Sequence, residues 1–437
     1  MIRFKRTRHA LLALALVGGS LHAVQARAQD DDAVEESETV TGKAPPKAQQ
    51  GGGKKSDVPP VFVPQRPEGA PELSREEALA RPYPNQLYLG AEALQLDAGF
   101  MGKCFDGTRL VYNRRYKEAK KFWDNLENEA PGYAIGHVGA VLIYQAMMME
   151  NFDFKWERQY LFHNSRAIEQ LDASIEAGEE GLAFKNFLVG AMMGVESIHI
   201  MRKGDFVPAL ARGVEAMGYI NEVKELAPNF VDPYLGDGLY KYWRSVVTMN
   251  SKVLPDFEDQ RAAGIADMEA VEKHGVFLGP GASLGLAFTY IEERDMKTAL
   301  SYCLKNYRDF PDNVINNLVL SRVYMYLRRY DESIRVLDEI LADAPDNQRA
   351  HYYYATVYLR TRDYDKAEAA VDRYLTFTDL EPYFRAQGLS RKGDVYYQRK
   401  DYDAAERYYK EALKVDNYKP AQAKLDRIKR MRKDGKI

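Results

Sequence analysis

The stretch YLRTRDYDKAEAAV, residues 358–371, is written three times with small changes: YMYLRRYDESIRVL fills 324–337 and YYQRKDYDAAERYY fills 396–409. Each copy holds a tyrosine, a short basic stretch, Tyr-Asp and then a small residue: Ser333, Ala367 or Ala405. Ser333 and Ala367 are 34 residues apart, and Ala299 in MKTALSYCLKN lies 34 before Ser333. Ala405 follows Ala367 by 38, the four extra residues falling in the TDLEPYF connection. Twelve residues before these anchors stand Ala287, Ser321, Ala355 and Gly393, and three further on stand Tyr290, Tyr324, Tyr358 and Tyr396. Twelve after the anchors come Pro311 and Pro345, then Asp379 and Asn417.

A 34-residue period marked this way predicts two helices per unit, each unit needing its neighbours to bury its apolar face. The small residues let paired helices approach closely, the tyrosines fill the space beside them, and the prolines stop the second helix. This pattern resembles the tetratricopeptide repeat family: small–x2–aromatic, then Ala, a bulky residue and Pro. Four units cover roughly residues 280–420. The resemblance implies an all-α, right-handed superhelical solenoid of antiparallel helix pairs, whose first helices line a concave face and contact ligands from fixed positions. Carried onto this chain, those positions are Leu284, Phe288 and Ile291 in the first unit and Leu318, Arg322, Met325 and Tyr326 in the second. The third supplies Tyr352, Thr356 and Arg360, and the fourth Asp394 and Tyr397. An apolar and aromatic surface dotted with Arg suits an extended or helical peptide with apolar anchors and an acidic group.

Upstream the pattern frays. YKEAKKFWDNLENEAPGY carries Ala119, Trp123 and Pro131 at the family's offsets, the second half of a unit. Ala209 is on register, but Pro228 follows it by 19 residues, which predicts a longer helix. Residues 74–279 are therefore expected to form a degenerate helical region, 280–420 the regular array, and 421–437 a basic C-terminal cap helix and tail. Cys104 and Cys303 are read as packing residues, too far apart in a linear array to bridge.

The first 28 residues have the form of an export signal: basic MIRFKRTRH, apolar ALLALALVGGSLHAV, and Ala26 and Ala28 at the positions a signal peptidase inspects. With this leader the chain resembles an exported bacterial member of the family, and the periplasm is its expected location. Removing residues 1–28 takes away five basic residues and no acidic ones, so the formal charge goes from -3 to -8. An acidic chain is a poor nucleic-acid binder. Residues 29–73 run from acidic DDDAVEESE through low-complexity KAPPKAQQGGGKK to Pro-rich VPPVFVPQRPEGAPE, the composition of a flexible tether. Ser74 opens SREE, a capping box where the first helix is expected to begin.

Catalytic and metal signatures are not found: HExxH, GxSxG, GxxxxGK[ST], a CxxC pair and an EF-hand loop are all missing. Glu196 and His199 share a helix face at i, i+3, but one such pair does not make a di-iron site, and it reads as a polar pair on a helix surface. His137, His163, His274 and His351 have no metal spacing. No cofactor is expected, and the chain is read as a non-enzymatic extracytoplasmic scaffold for a protein or peptide partner in an envelope assembly. The alternative is a lipid or small-molecule carrier with the GAMMG and YQAMMME clusters lining an apolar cavity. Methionines at helical spacing more often sit in a core.

Overall fold

The computed structural model describes residues 81–249 and 258–437. The leader, the linker and the helix start expected at Ser74 lie outside the described residues. Among the described residues the regular elements are eighteen α-helices and one 3-10 turn at Pro131–Tyr133, without a strand. They fall into two compact units.

The first unit takes the described residues up to Tyr144 together with Arg158–Asp295. Its helices are α1 (Asn85–Ala93), α2 (Ala98–Tyr112), α3 (Tyr116–Glu129), the first part of α4 (Ile135–Asn151), α5 (Glu157–Glu176), α6 (Leu182–Arg202), α7 (Phe206–Leu226), α8 (Tyr234–Met249), α9 (Arg261–His274) and α10 (Gly279–Glu292). The second unit takes Gln145–Glu157 and Met296–Ile437. It holds the end of α4, then α11 (Met296–Asp309), α12 (Val314–Tyr326), α13 (Tyr330–Asp343), α14 (Gln348–Arg360), α15 (Tyr364–Leu375), α16 (Pro382–Gln398), α17 (Tyr402–Val415) and α18 (Lys419–Lys433). Helices α12 and α13, α14 and α15, and α16 and α17 pair along their lengths, and the first helices α12, α14 and α16 touch in succession.

The repeated basic stretch builds the corner between paired helices. Arg328, Arg362 and Lys400 sit in the left-handed region at φ 58°, 63° and 64°. In each corner two N–H groups fold back onto the helix end: Arg362 N–H donates to Leu359 O at 3.2 Å and Asp363 N–H to Tyr358 O at 2.9 Å. That is the Schellman pattern, which satisfies otherwise unpaired carbonyls. The next residue opens the second helix, and the Asp363 and Asp401 side chains accept from Lys366 N–H at 3.3 Å and Ala404 N–H at 3.0 Å. The same corner recurs at Arg114, Gly204 and Arg294 (φ 60°, 89° and 59°), always five residues before the small anchor.

The small residues do what their spacing demands. Ser321 Oγ and Ser333 Oγ lie 2.8 Å apart, both fully buried. A Cβ on Gly393 would stand 2.6 Å from Cε1 of Tyr409, so the two backbones pack with only a hydrogen between them and that ring. The tyrosine surplus has its home here too: Tyr352, Tyr374, Tyr409 and Tyr418 are fully buried in the second unit. In α18, Ala421, Leu425 and Ile428 are buried at i, i+4 and i+7 while Arg430, Arg432 and Lys433 end the helix, the polar-backed apolar stripe an array terminus needs.

Upstream of the regular array the helices also pair as hairpins. Gly107 stands twelve residues before Ala119, and a Cβ there would meet the Trp123 ring at 2.5 Å, so α2 is the first helix that partners α3. Ser197 stands twelve before Ala209 and its Oγ donates to Ala209 O at 2.6 Å, joining α6 to α7. Helices α8 and α9 meet where a Cβ on Gly238 would come 2.7 Å from Gly264 O. The fully buried Asp232 carboxylate fixes the turn into α10, accepting Val276, Phe277 and Leu278 N–H groups at 2.7 Å each. Both cysteines are buried and free, and burial pushes the Cys303 thiol up to about 12.

Candidate functional site

Helix geometry places residues three or four apart on one face, so the expected ligand positions of each first helix form a stripe. In the first unit, α10 carries Leu284, Phe288 and Ile291, all partly exposed, on a helix whose other side buries Ala282, Leu286 and Ala287.

In the second unit two thirds of the stripe is covered. Leu318, Arg322, Met325, Tyr352, Thr356 and Asp394 are buried, whereas Tyr326, Arg360 and Tyr397 keep partial exposure. Tyr326 is flanked by two guanidinium groups, Arg322 at 5.9 Å and Arg360 at 6.0 Å from its ring centre, and Arg322 Nη2 donates to its hydroxyl at 3.2 Å. Tyr352 accepts from Arg391 Nη2 at 3.0 Å, and Thr356 Oγ1 turns back to donate to Tyr352 O at 3.1 Å. In the fourth repeat the cap helix takes the expected ligand positions. Asp394 accepts from Lys424 Nζ at 2.8 Å and Tyr409 Oη at 2.7 Å, while Tyr397 Oη donates to Met431 Sδ at 3.3 Å with Arg427 5.4 Å from its ring.

A further occupant of this unit carries no local sequence signal. The end of α4 and the residues after it, Gln145–Glu157, pack in the second unit. Asn347 Nδ2 donates to Glu150 O at 3.0 Å, and Asn151 Oδ1 accepts from Gln348 N–H at 2.9 Å. Phe152 follows with φ 57°, a left-handed conformation that costs an L-residue about 1–2 kcal/mol. Its ring lies 5.5 Å from the Arg349 guanidinium and 6.3 Å from Phe384. Arg349 is only 2% exposed and has no carboxylate partner among the described residues. Instead its guanidinium sits among Phe152, Tyr352 (4.9 Å), Tyr353 (5.3 Å) and Phe384 (4.8 Å), and Nη1 donates to Gln387 Oε1 at 3.2 Å. Buried cation–π contacts of this kind are worth about 2 kcal/mol or more. Of the methionines in the two clusters, Met148, Met192 and Met193 are buried, and Met147 and Met149 are partly exposed.

The polar residues singled out in sequence behave differently from expectation in two places. Glu196 and His199 do not form a surface pair. His199 is buried with its ring 4.8 Å from Tyr160, and Glu196 accepts from Arg212 Nε at 2.6 Å and Asn164 Nδ2 at 3.0 Å, because this face of α6 turns toward α5 and α7. His137 and His163, scattered in sequence, come together with Nδ1 atoms 2.8 Å apart and Tyr144 stacked on His163. Burial holds both below the ordinary imidazole value, and the neighbouring His137 helps bring His163 to about 4. The near approach of two helices, not residue spacing, creates that pair. His351 packs against Phe377 and bonds Pro345 O at 3.0 Å. Among the described residues no three His, Cys, Asp or Glu side chains are grouped to hold a metal ion, and no helix is long and apolar enough to cross a membrane.

Among the described residues the geometry defines a class: all-α helix hairpins whose first helices keep a few partly exposed side chains. Residues 318–382 and 386–417 match family models of the tetratricopeptide repeat. Those residues are tetratricopeptide repeats, and such repeats mark a protein-interaction scaffold. No curated protein matches the chain. Among solved structures it is similar to a tetratricopeptide repeat protein from Parabacteroides merdae, at 16% identity over 65% of this chain and 98% of that one, TM-score 0.38. It is similar also to the APC/C hetero-tetramer Cut9-Hcn1 (14% identity, 78% and 68% covered, TM-score 0.45) and to yeast Tom70 (11%, 80% and 85%, TM-score 0.40).

Proposed function

We propose that this protein is a non-enzymatic, extracytoplasmic scaffold that holds a protein or peptide partner of an envelope assembly on the first-helix faces of its repeats. The observation that carries the reading is the Tyr326 ring, partly exposed on a regular hairpin and flanked by the Arg322 and Arg360 guanidinium groups. Such an aromatic–arginine patch is the composition that dominates interface energetics. Leu318, Met325, Tyr352 and Thr356, expected on the same faces, are buried. Leu284, Phe288 and Ile291 offer a second, apolar stripe in the first unit. The basic-then-apolar leader supports export, and the acidic, Pro-rich residues 29–73 supply reach.

The test is affinity capture from the envelope fraction with the chain from Gln29 onward, beside a variant carrying Phe288→Ala, Tyr326→Ala and Arg360→Ala. All three side chains are partly exposed, so the variant retains the helical fold by circular dichroism. A protein bound by the wild type and lost by the variant supports the reading, and equal capture by both sinks the face assignment. N-terminal sequencing of the chain from that fraction is expected to begin at Gln29; an intact Met1 there would overturn export by signal cleavage.

A further inference from the structure

We infer that the α14 face of the second unit is a docking site filled in cis by the chain's own Met148–Phe154, and that an outside partner for it is a helix end carrying Asn-Phe-Asp in its last turn. This rests on the proposed reading that first-helix faces dock a peptide, and names the chemistry of that peptide. Gln145–Glu157 belongs to the second unit, where it is bonded by Asn347 and Gln348, which lie 197 residues further along the chain. Its attachment is read out group by group, as a ligand's would be. The Asn347 amide, which also caps α14 by accepting Ala350 N–H at 2.8 Å, donates to the Glu150 carbonyl. The Asn151 side-chain Oδ1 accepts from Gln348 N–H, and the Phe152 ring lies against Arg349. Arg349 stands three residues before Tyr352 and seven before Thr356, which puts it on the stripe of expected ligand positions.

Two features mark this as recognition of a segment more than filling of space. The residue at this left-handed helix end is Phe, whose ring lies 5.5 Å from the Arg349 guanidinium, whereas the repeat corners place the exposed Arg328 and Arg362 there. The buried guanidinium it meets has aromatic rings and an amide oxygen around it instead of a carboxylate, so the site discriminates for an aromatic side chain. Asp153, also buried, closes the turn through its N–H to Met148 O at 3.1 Å. A partner helix ending in the same way meets the same donors, and it must displace the tethered copy, which acts at high effective concentration.

The experiment uses the full chain and a fluorescent synthetic peptide of residues 145–157. The wild type is expected to bind it at least tenfold more weakly than an Asn151→Ala/Phe152→Ala variant, whose own segment no longer competes. Adding Arg349→Ala to that variant is expected to weaken the peptide at least tenfold. A second measurement needs no variant: with excess peptide, hydrogen exchange of the wild type is expected to quicken at Met148–Phe154 while α14 stays protected. No binding to the variant together with unchanged exchange in the wild type would overturn the inference and make the segment a permanent part of the unit. If the envelope partner is still captured through Tyr326 and Arg360 in that case, the scaffold reading stands and this inference alone falls. If capture is also the same for wild type and face variant, both fall.

Discussion

Replacing Arg362 at the α14–α15 corner separates backbone strain from side-chain contacts. The residue is exposed with φ 63°, and its backbone N–H folds back to Leu359 O. An L-residue in this region costs about 1–2 kcal/mol. Glycine removes that cost, adds about 0.5–1 kcal/mol of chain entropy, and forfeits a few tenths of a kcal/mol for a cation near a helix C-terminus. The balance leaves Arg362→Gly about 0.5 kcal/mol more stable than wild type. Valine, β-branched, is a true outlier at positive φ, and Arg362→Val is expected to lose about 1 kcal/mol or more. The two variants should therefore differ by roughly 1.5–2 kcal/mol, about 3–8 °C in the melting of a unit of this size. Thermal unfolding by circular dichroism reads the difference, and hydrogen exchange along α15 assigns it to the second unit. A triple variant with glycine at Arg328, Arg362 and Lys400 should gain nearly three times the single increment, because repeats contribute almost additively. If Val melts at or above wild type, or below it by no more than Gly does, the corner stores no strain and the reasoning fails.

Gly393→Val puts a side chain 2.6–2.7 Å from the Tyr409 ring, an overpacking expected to cost about 1–3 kcal/mol, seen as a lower melting temperature of the second unit; an unchanged melt would show that α16 and α17 can slide apart. Asp232→Asn keeps the shape but leaves at least one of the Val276, Phe277 and Leu278 N–H groups without its acceptor, at about 1–3 kcal/mol each, and faster exchange at those three amides is the check. The His137–His163 pair makes the first unit acid-sensitive. Folded imidazoles held below the unfolded value of about 6.5 leave the unfolded state binding more protons in the window below it. Stability is thus full above pH 6.5 and lost as pH falls toward 4. In a His137→Phe/His163→Phe variant that part of the melting-temperature slope should vanish, and an identical slope would refute it.

The hairpin was legible because everything that makes it is local. Tyrosine, αL corner, Asp cap, small residue and proline lie within about one period of each other, so their physics is written as fixed offsets. The α2–α3 and α6–α7 hairpins follow the same offset, with Gly107 and Ser197 twelve residues before their anchors, but only the structure identified those first helices as the partners. Burial of half the expected ligand positions was not legible. Spacing says which side of a helix Asp394 and Tyr397 occupy, but only packing reveals that α18 lies over them.

By itself, then, the sequence determined the repeat and the helix pairs of the regular array, because helical period and corner chemistry are properties of neighbouring residues. The tertiary structure alone decided that Phe152 is the ring beside Arg349, that His137 meets His163, and that His199 turns inward. Those contacts join residues tens to hundreds of positions apart through close packing, which leaves no periodic mark on the chain.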